Sequence, residues 1–274
     1  MSKLPKDLPQ RLRAAGLKVV TIGGWYSRGR PGSFTPKGVL WHHTGSTLQG
    51  KAMATWLART GRKDLAAPLA QISISKAGTV YILAAGRANH AGWARKGGPL
   101  KKRTDGNKVF VGIEFQSDGS GFSLPQYEAG LAVTAILLQQ MKSGAAWCRS
   151  HKETSETGKW DPGKVDMSEV RAELASRLTP VKEPSKNKPH PRGRIRVDFL
   201  LKQYKAGLRN KYAKKGSNQN KAVRQLQGAL GVLADGKYGP GTRSAVATFQ
   251  RREGLTADGI AGKITVTALG FLPA

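Results

Sequence analysis

The 274-residue sequence predicts an α/β fold, with a central mixed β-sheet flanked by helices, followed by a small three-helix C-terminal domain. Three observations lead there. In the first 180 residues, short runs rich in Val, Ile and Phe alternate with longer helix-patterned stretches. A stretch rich in Pro and Lys then interrupts the chain. Beyond it, the pattern A-D-G-x-x-G-x-x-T-x-x-A occurs twice, 23 residues apart.

In order along the chain, Val39-Leu40-Trp41 reads as a short buried strand, and Lys51–Thr60 as a helix. Gln71–Ser75 and Thr79–Leu83 flank Ala77-Gly78 and read as a hairpin. Lys108–Gln116 has the composition of a central strand. Pro125–Lys142 is a long apolar helix that Ser123 can cap, with Pro125 suited to its first turn. Asp166-Met-Ser-Glu169 resembles a capping box and opens a helix running to Leu178. The prolines and basic residues of Pro180–Arg196 make a semi-extended linker. The expected domains are therefore 1–179 and 197–274, joined by 180–196. In the second, Ala234–Ala245 and Ala257–Ala268 carry the repeat, in which Asp-Gly supplies a tight turn before each helix. Val223, Leu226 and Leu230 share one helical face, as do Val246 and Phe249. The basic segment Lys186–Lys215 precedes the repeat and is expected to hold a helix near Val197–Tyr212.

Composition narrows the function. Hydrophobic residues make up 39% of the chain, which is globular rather than disordered. The formal net charge of +29 calls for a polyanionic partner or surface, whether nucleic acid, anionic wall polymer or anionic membrane. Such charge supports non-specific phosphate binding, but no nucleic-acid recognition motif is present. No stretch approaches the roughly 20 apolar residues of a membrane span. The N-terminus lacks the apolar core of a signal peptide, so synthesis in a cytoplasm is expected. The single Cys148 excludes an intramolecular disulfide and reads as a small buried residue beside Trp147. A monomer is expected.

Five histidines are present. His42 and His43 follow the first strand, His90 sits in Ala88–Trp93, His151 lies ten residues before Asp161, and His190 falls in the linker as a solvated residue. A catalytic zinc needs three protein ligands and one open position, which two imidazoles and a carboxylate satisfy. Spacing alone leaves that ligand set undecided. Glu114 stands out because an acid inside the apolar run Val109–Phe115 is costly to bury unpaired. Lys159 is one basic residue among many, set apart only by its place two residues before Asp161.

Four segments occur in a telling order: Leu40-Trp41-His42-His43-Thr44-Gly45, Asn89-His90-Ala91-Gly92, Val111-Gly112-Ile113-Glu114, and His151 with Lys159-Trp160-Asp161-Pro162-Gly163. Together they resemble the motifs of the type 2 N-acetylmuramoyl-L-alanine amidases, the superfamily that includes peptidoglycan-recognition proteins and many phage endolysins. The resemblance implies His42, His151 and Asp161 as zinc ligands, Glu114 as general base, and Lys159 directed at the oxyanion. It places His43, Asn89 and His90 at the substrate groove, with a packing or loop-fixing role open for His43 and His90. The implied reaction is hydrolysis of the amide between N-acetylmuramic acid and L-alanine, in which zinc activates water and carbonyl while Glu114 moves the proton. One departure is that some relatives carry a Tyr near the zinc where this chain has Ala70 or Gln71.

The repeat, over about residues 216–272, resembles the type 1 peptidoglycan-binding domain, with Asp235, Tyr238 and Asp258 as expected wall contacts. Both halves thus imply bacterial peptidoglycan as partner, and the basic segment implies anionic wall polymers besides. A wall enzyme without a signal peptide fits a phage lysin released through holin-type holes. Two other readings remain: a catalytically idle peptidoglycan-binding protein, and a cytosolic recycling amidase, which would need neither the second domain nor the charge.

Overall fold

The computed structural model describes residues 3–178, 193–207, 214–255 and 258–274. Chain contacts divide it into two compact units, Met1–Leu178 and Thr179–Ala274. No helix among the described residues is long and apolar enough to cross a membrane.

The first unit is built on a six-stranded sheet. Its strands are β1 (Val19–Thr21), β2 (Gly38–His43), β3 (Ile72–Ile74), β4 (Val80–Ile82), β5 (Phe110–Phe115) and β6 (Cys148–Ser150), in the spatial order β1-β4-β3-β5-β2-β6. Strand β2 runs parallel to both β5 and β6, and β3 runs parallel to β5. The β3–β4 hairpin is antiparallel, which makes the sheet mixed. Every residue of β2 is buried, as the unbroken apolar run of a central parallel strand requires. Gly38 admits this strand, because a Cβ there would lie 2.5 Å from the Trp147 carbonyl oxygen.

Helix α1 (Leu8–Ala14) buries Leu8 and Leu12. The stretch expected as one helix, Lys51–Thr60, is an α-helix, α2 (Gly50–Thr55), that widens into a π-type turn over Trp56–Thr60. Gly61 ends it at φ +69°, where a Cβ would meet the Ala67 nitrogen at 2.6 Å. Helix α3 (Leu124–Gln140) starts at Ser123, whose hydroxyl accepts from the Gln126 N–H. Thr134, which interrupts the apolar run of α3, is fully buried and accepts a hydrogen bond from Trp41 Nε1 at 2.9 Å. Trp41 also packs on Phe115, which stacks on Phe122 at 4.1 Å, so sheet and helix share one core. Cys148 is buried in the same core.

The second unit differs from expectation in three ways. Residues 179–192, which hold most of the expected linker and His190, lie outside the described residues, but Arg194–Ile195 at its end pairs with Leu272–Pro273 and buries Ile195. The helix expected near Val197–Tyr212 is present as Val197–Gly207, and instead of standing outside the repeat it packs Val197 and Leu200 into a core shared with Asn218–Leu230, Pro240–Arg252 and Lys263–Ala268. The basic extension is therefore amphipathic; residues 208–212 of the expected helix lie outside the described residues.

The third correction concerns the repeat. Gln227 donates from Nε2 to Asp235 Oδ1 (2.7 Å), the Lys237 carbonyl (3.0 Å) and Thr242 Oγ1 (2.8 Å), and accepts from the Gly236 N–H (2.8 Å). Gln250 makes the same four bonds to Asp258, Ile260, Thr265 and Gly259, at 2.8–3.0 Å. Tyr238 is fully buried and ties the two loops together, donating to the Gly259 carbonyl and accepting from the Ala261 N–H. Its hydroxyl is thus used within the unit. Asp235 and Asp258 each spend Oδ1 on the clamp and on a backbone N–H two residues on, leaving only the second oxygen for any ligand.

Gln227→Ala should strip four buried partners at once and destabilise the second unit by on the order of 2–4 kcal/mol. Chemical denaturation of the full chain followed by helix circular dichroism checks this. All six tryptophans lie in the first unit and provide its separate fluorescence readout.

Candidate metal centre

The parallel register of β2 and β5 pairs His42 with Glu114, and β3 and β5 pair Glu114 with Ser73. Partner residues on adjacent strands point to one face of the sheet. His42 and Glu114 therefore stand side by side near the C-terminal ends of two central strands.

The other two candidate ligands, His151 and Asp161, come from one loop system. Strand β6 feeds directly into a single helical turn, His151–Thr154. Ser150 caps it, accepting from the Glu153 N–H, while the Glu153 carboxylate accepts from the Ser150 N–H at 2.9 Å. Arg171 pairs with Glu153 at 3.0 Å, so the turn that presents His151 is anchored to the helix Met167–Leu178. Ten residues on, the Lys152 N–H donates to the Asp161 carbonyl at 2.8 Å and folds the loop back over His151. Gly163 closes that loop at φ +77°, where a Cβ would lie 2.3 Å from the Gly119 carbonyl oxygen. The glycine of the Asp-Pro-Gly segment is thus required by close backbone approach.

His42, His151 and Asp161 bring one ligand atom each to within 4.8 Å of one another. Asp161 Oδ2 lies 2.8 Å from His42 Nδ1 and 3.1 Å from His151 Nδ1. The hydrogen-bond network assigns the tautomers. His90 Nε2–H donates to the Phe110 carbonyl at 3.2 Å, which leaves His90 Nδ1 to accept from His42 Nε2–H at 3.0 Å. His42 Nδ1 then carries a lone pair aimed at a carboxylate oxygen. Two such acceptors repel unless a cation or a proton lies between them. A proton is disfavoured: burial, first of all, lowers the His42 pKa, and it drives His90 well below the ordinary range. Burial works to raise the Asp161 carboxyl, but the neighbouring His151 and His42 hold it well below the usual carboxylate range. Two imidazoles and a carboxylate converging on one point fit a divalent metal ion.

Glu114 has a second signature. Its Oε2 is shut off from solvent and has no hydrogen-bond partner among the described residues. Burial, with the neighbouring charge of Asp161, pushes its carboxyl up to about 8. A carboxyl held near neutrality can both take up and return a proton at working pH.

The remaining expected residues are placed as follows. His43 is buried, its ring 4.4 Å from that of Trp160, with Nδ1 unpartnered among the described residues. His90 uses both ring nitrogens internally and presents none to a ligand. The Asn89 side chain donates to the Ala66 carbonyl at 2.9 Å, which ties one loop to another rather than facing a groove. Lys159 is exposed, and its charge reaches Asp64. At the position where some relatives carry Tyr, Ala70 is fully buried and Gln71 is spent on the backbone, accepting from the Gly112 N–H (2.7 Å) and donating to the Gly86 carbonyl (3.1 Å). The Glu153 brace and the His90 relay had no distinct sequence signal beyond their closeness to motif residues.

His90→Ala should keep the three metal-binding groups but weaken divalent-metal affinity about 10–100-fold, because the His42 tautomer is no longer fixed; competition against a chromophoric chelator measures this. Glu114 should also mark the pH dependence of the metal-free protein. Its folded pKa lies above its ordinary 4.5, so between about 4.5 and 8 the folded state holds more protons than the unfolded state, and stability falls as pH rises through that window. Thermal melts in chelator should show Glu114→Gln close to the wild type at pH 5 and several degrees more stable at pH 8.5.

The chain is similar to known proteins over both of its units. Residues 32–164 match the family described as N-acetylmuramoyl-L-alanine amidase, and residues 219–269 match the putative peptidoglycan binding domain. The N-acetylmuramoyl-L-alanine amidase CwlL of Bacillus licheniformis is 30% identical over 195 residues, covering 63% of this chain and 45% of that protein. The chain thus spans less than half the length of that relative. Among solved structures, a selenomethionine derivative of AmpD is 21% identical, covering 58% of this chain and 94% of its own, with a TM-score of 0.45. The N-acetylmuramoyl-L-alanine amidase LysC from Clostridium intestinale is 17% identical, covering 57% and 97%, with a TM-score of 0.42. The two matches together support an architecture of an amidase-type domain followed by a peptidoglycan-binding-type domain.

Proposed function

We propose that this protein is a zinc-dependent hydrolase of bacterial peptidoglycan that cleaves the amide between the lactyl group of N-acetylmuramic acid and L-alanine. The observation that carries the reading is the convergence of His42 Nδ1 and His151 Nδ1 on a single Asp161 oxygen, with the unpartnered Glu114 carboxyl on the adjoining strand. His42, His151 and Asp161 would hold the zinc, which when bound supplies Lewis-acid polarisation of the scissile carbonyl.

The chain's own residues account for the rest. Glu114 accepts the proton of the attacking water and returns it to the departing alanine amine. Its apolar surroundings keep the carboxyl from being levelled by solvent. Lys159, exposed and two residues before Asp161, provides a cation for the developing oxyanion. His90 and the Phe110 carbonyl keep the His42 lone pair turned inward. The second unit holds the enzyme on the wall, and the net charge of +29 adds attraction to anionic wall polymers that salt should weaken. Lysis from within, after release by a separate agent, fits this combination.

Purified peptidoglycan provides the test. The wild type should release new N-terminal alanine, lose this activity in chelator and regain it with zinc, while His151→Ala stays silent on the same substrate. Binding to the wall without alanine release at any zinc level would instead mark an idle recognition protein.

A further inference from the structure

The loop that brings in Asp161 crosses the end of β2 and touches that strand on both of its faces. Neighbouring side chains on a strand turn to opposite faces, so His42 and His43 point opposite ways. Asp161 meets the first, with Oδ2 2.8 Å from His42 Nδ1. Trp160 meets the second, its ring centroid 4.4 Å from that of His43 and the two rings inclined at 62°. Two consecutive loop residues are thus set against two consecutive strand residues, one pair on each face. The loop straddles the strand end.

The ring pair has a fitted floor. At Gly119 a Cβ would come within 2.2 Å of the Trp160 ring and 2.9 Å of His43 Nε2, so only glycine leaves room for both rings. That floor is itself fixed. Ser117 Oγ accepts from the Gly119 N–H at 3.1 Å and donates to the Gly121 carbonyl at 2.8 Å. The Gly45 N–H, two residues after His43, donates to the Ser117 carbonyl at 3.0 Å.

The other side of the loop offers less. Residues 156–159, just before Trp160, are all exposed. Packing that holds Asp161 therefore comes from Trp160 before it and from the turn at Gly163 after it. Trp160 is itself 56% exposed, so its ring adds little to the core. What it covers is His43, a buried ring whose Nδ1 has no hydrogen-bond partner among the described residues. Both rings are one residue from a candidate ligand, so a shift in their contact passes directly to the pair His42–Asp161.

We propose that Trp160 and His43 are positioning residues: their ring contact latches the loop across the end of β2 and sets the Asp161 carboxylate at the separation from His42 and His151 that a metal ion needs. The role rests on the zinc reading above.

Two measurements on the full chain test it, with Trp160→Ala, Trp160→Phe, His43→Ala and the double alanine variant. Competition with a chromophoric chelator reads zinc affinity. Trp160→Ala should lose about 10–100-fold, as when other groups that orient a metal ligand are removed. Trp160→Phe should keep most of the affinity. The double variant should be no weaker than the weaker single one, because each single change already removes the same contact. Amide hydrogen exchange without metal reads the loop itself. The Lys152 N–H is bonded to the Asp161 carbonyl, and it should exchange severalfold faster in Trp160→Ala while the amides of β5 stay unchanged. Should His43→Ala not fold, the two Trp160 variants still decide, since that side chain is mostly exposed. Unchanged Lys152 exchange in Trp160→Ala, a phenylalanine no better than alanine, or additive losses in the double variant would overturn the latch. So would a Trp160→Ala that binds zinc normally and only raises KM on peptidoglycan, which would make the ring a substrate contact. A wild type that binds no zinc sinks the zinc reading, and Lys152 exchange still decides whether Trp160 places the loop.

Discussion

The in-register parallel pairing of β2 with β5 is the constraint on which the site depends. It sets His42 beside Glu114 with no freedom to slip, because a one-residue shift would turn both to the wrong face. The register is held by core packing on the opposite face, where Trp41 and Phe115 contact one another and helix α3. The reactive row is thus positioned by apolar contacts that take no part in chemistry. Gln71 adds a polar lock, since its side chain accepts from Gly112, two residues before Glu114.

Onto that row the loop Ser155–Gly163 lowers Asp161, and its own anchoring is electrostatic. The capping box at Ser150 and the Arg171–Glu153 pair hold the His151 turn, and the Lys152–Asp161 backbone bond sets the loop above it. Rigid strands and a braced turn therefore meet at one carboxylate oxygen.

Much of the first unit was legible because its strands are short, buried and rich in Val, Ile and Phe, so composition marked Val39–Trp41, the hairpin about Ala77-Gly78 and the central strand before Gln116. Helix α3 declared itself by length and by Ser123. The metal-binding trio was not legible from spacing, since His42 and His151 are far apart in sequence; only the order of four motifs linked them. His90 and Asn89 were read outward, toward a groove, because sequence shows that a polar residue is present but not where its partners lie. The second unit was misread for a related reason. Asp235 and Asp258 looked like ligands because they recur in a turn motif, whereas the repeat extends back to Gln227 and Gln250, eight residues before each Asp-Gly. Amphipathicity in Val197–Gly207 was hidden by the density of basic residues around it.

The paired glutamine clamps separate two roles within the second unit. The side chains that make its sequence recognisable are consumed in closing loops, and Tyr238 welds those loops to each other. Any ligand of this unit would then be met mainly by residues that leave no mark in the motif. Such a module can drift from one wall chemistry to another while its hallmark stays fixed, so two proteins sharing the hallmark share an architecture before they share a target.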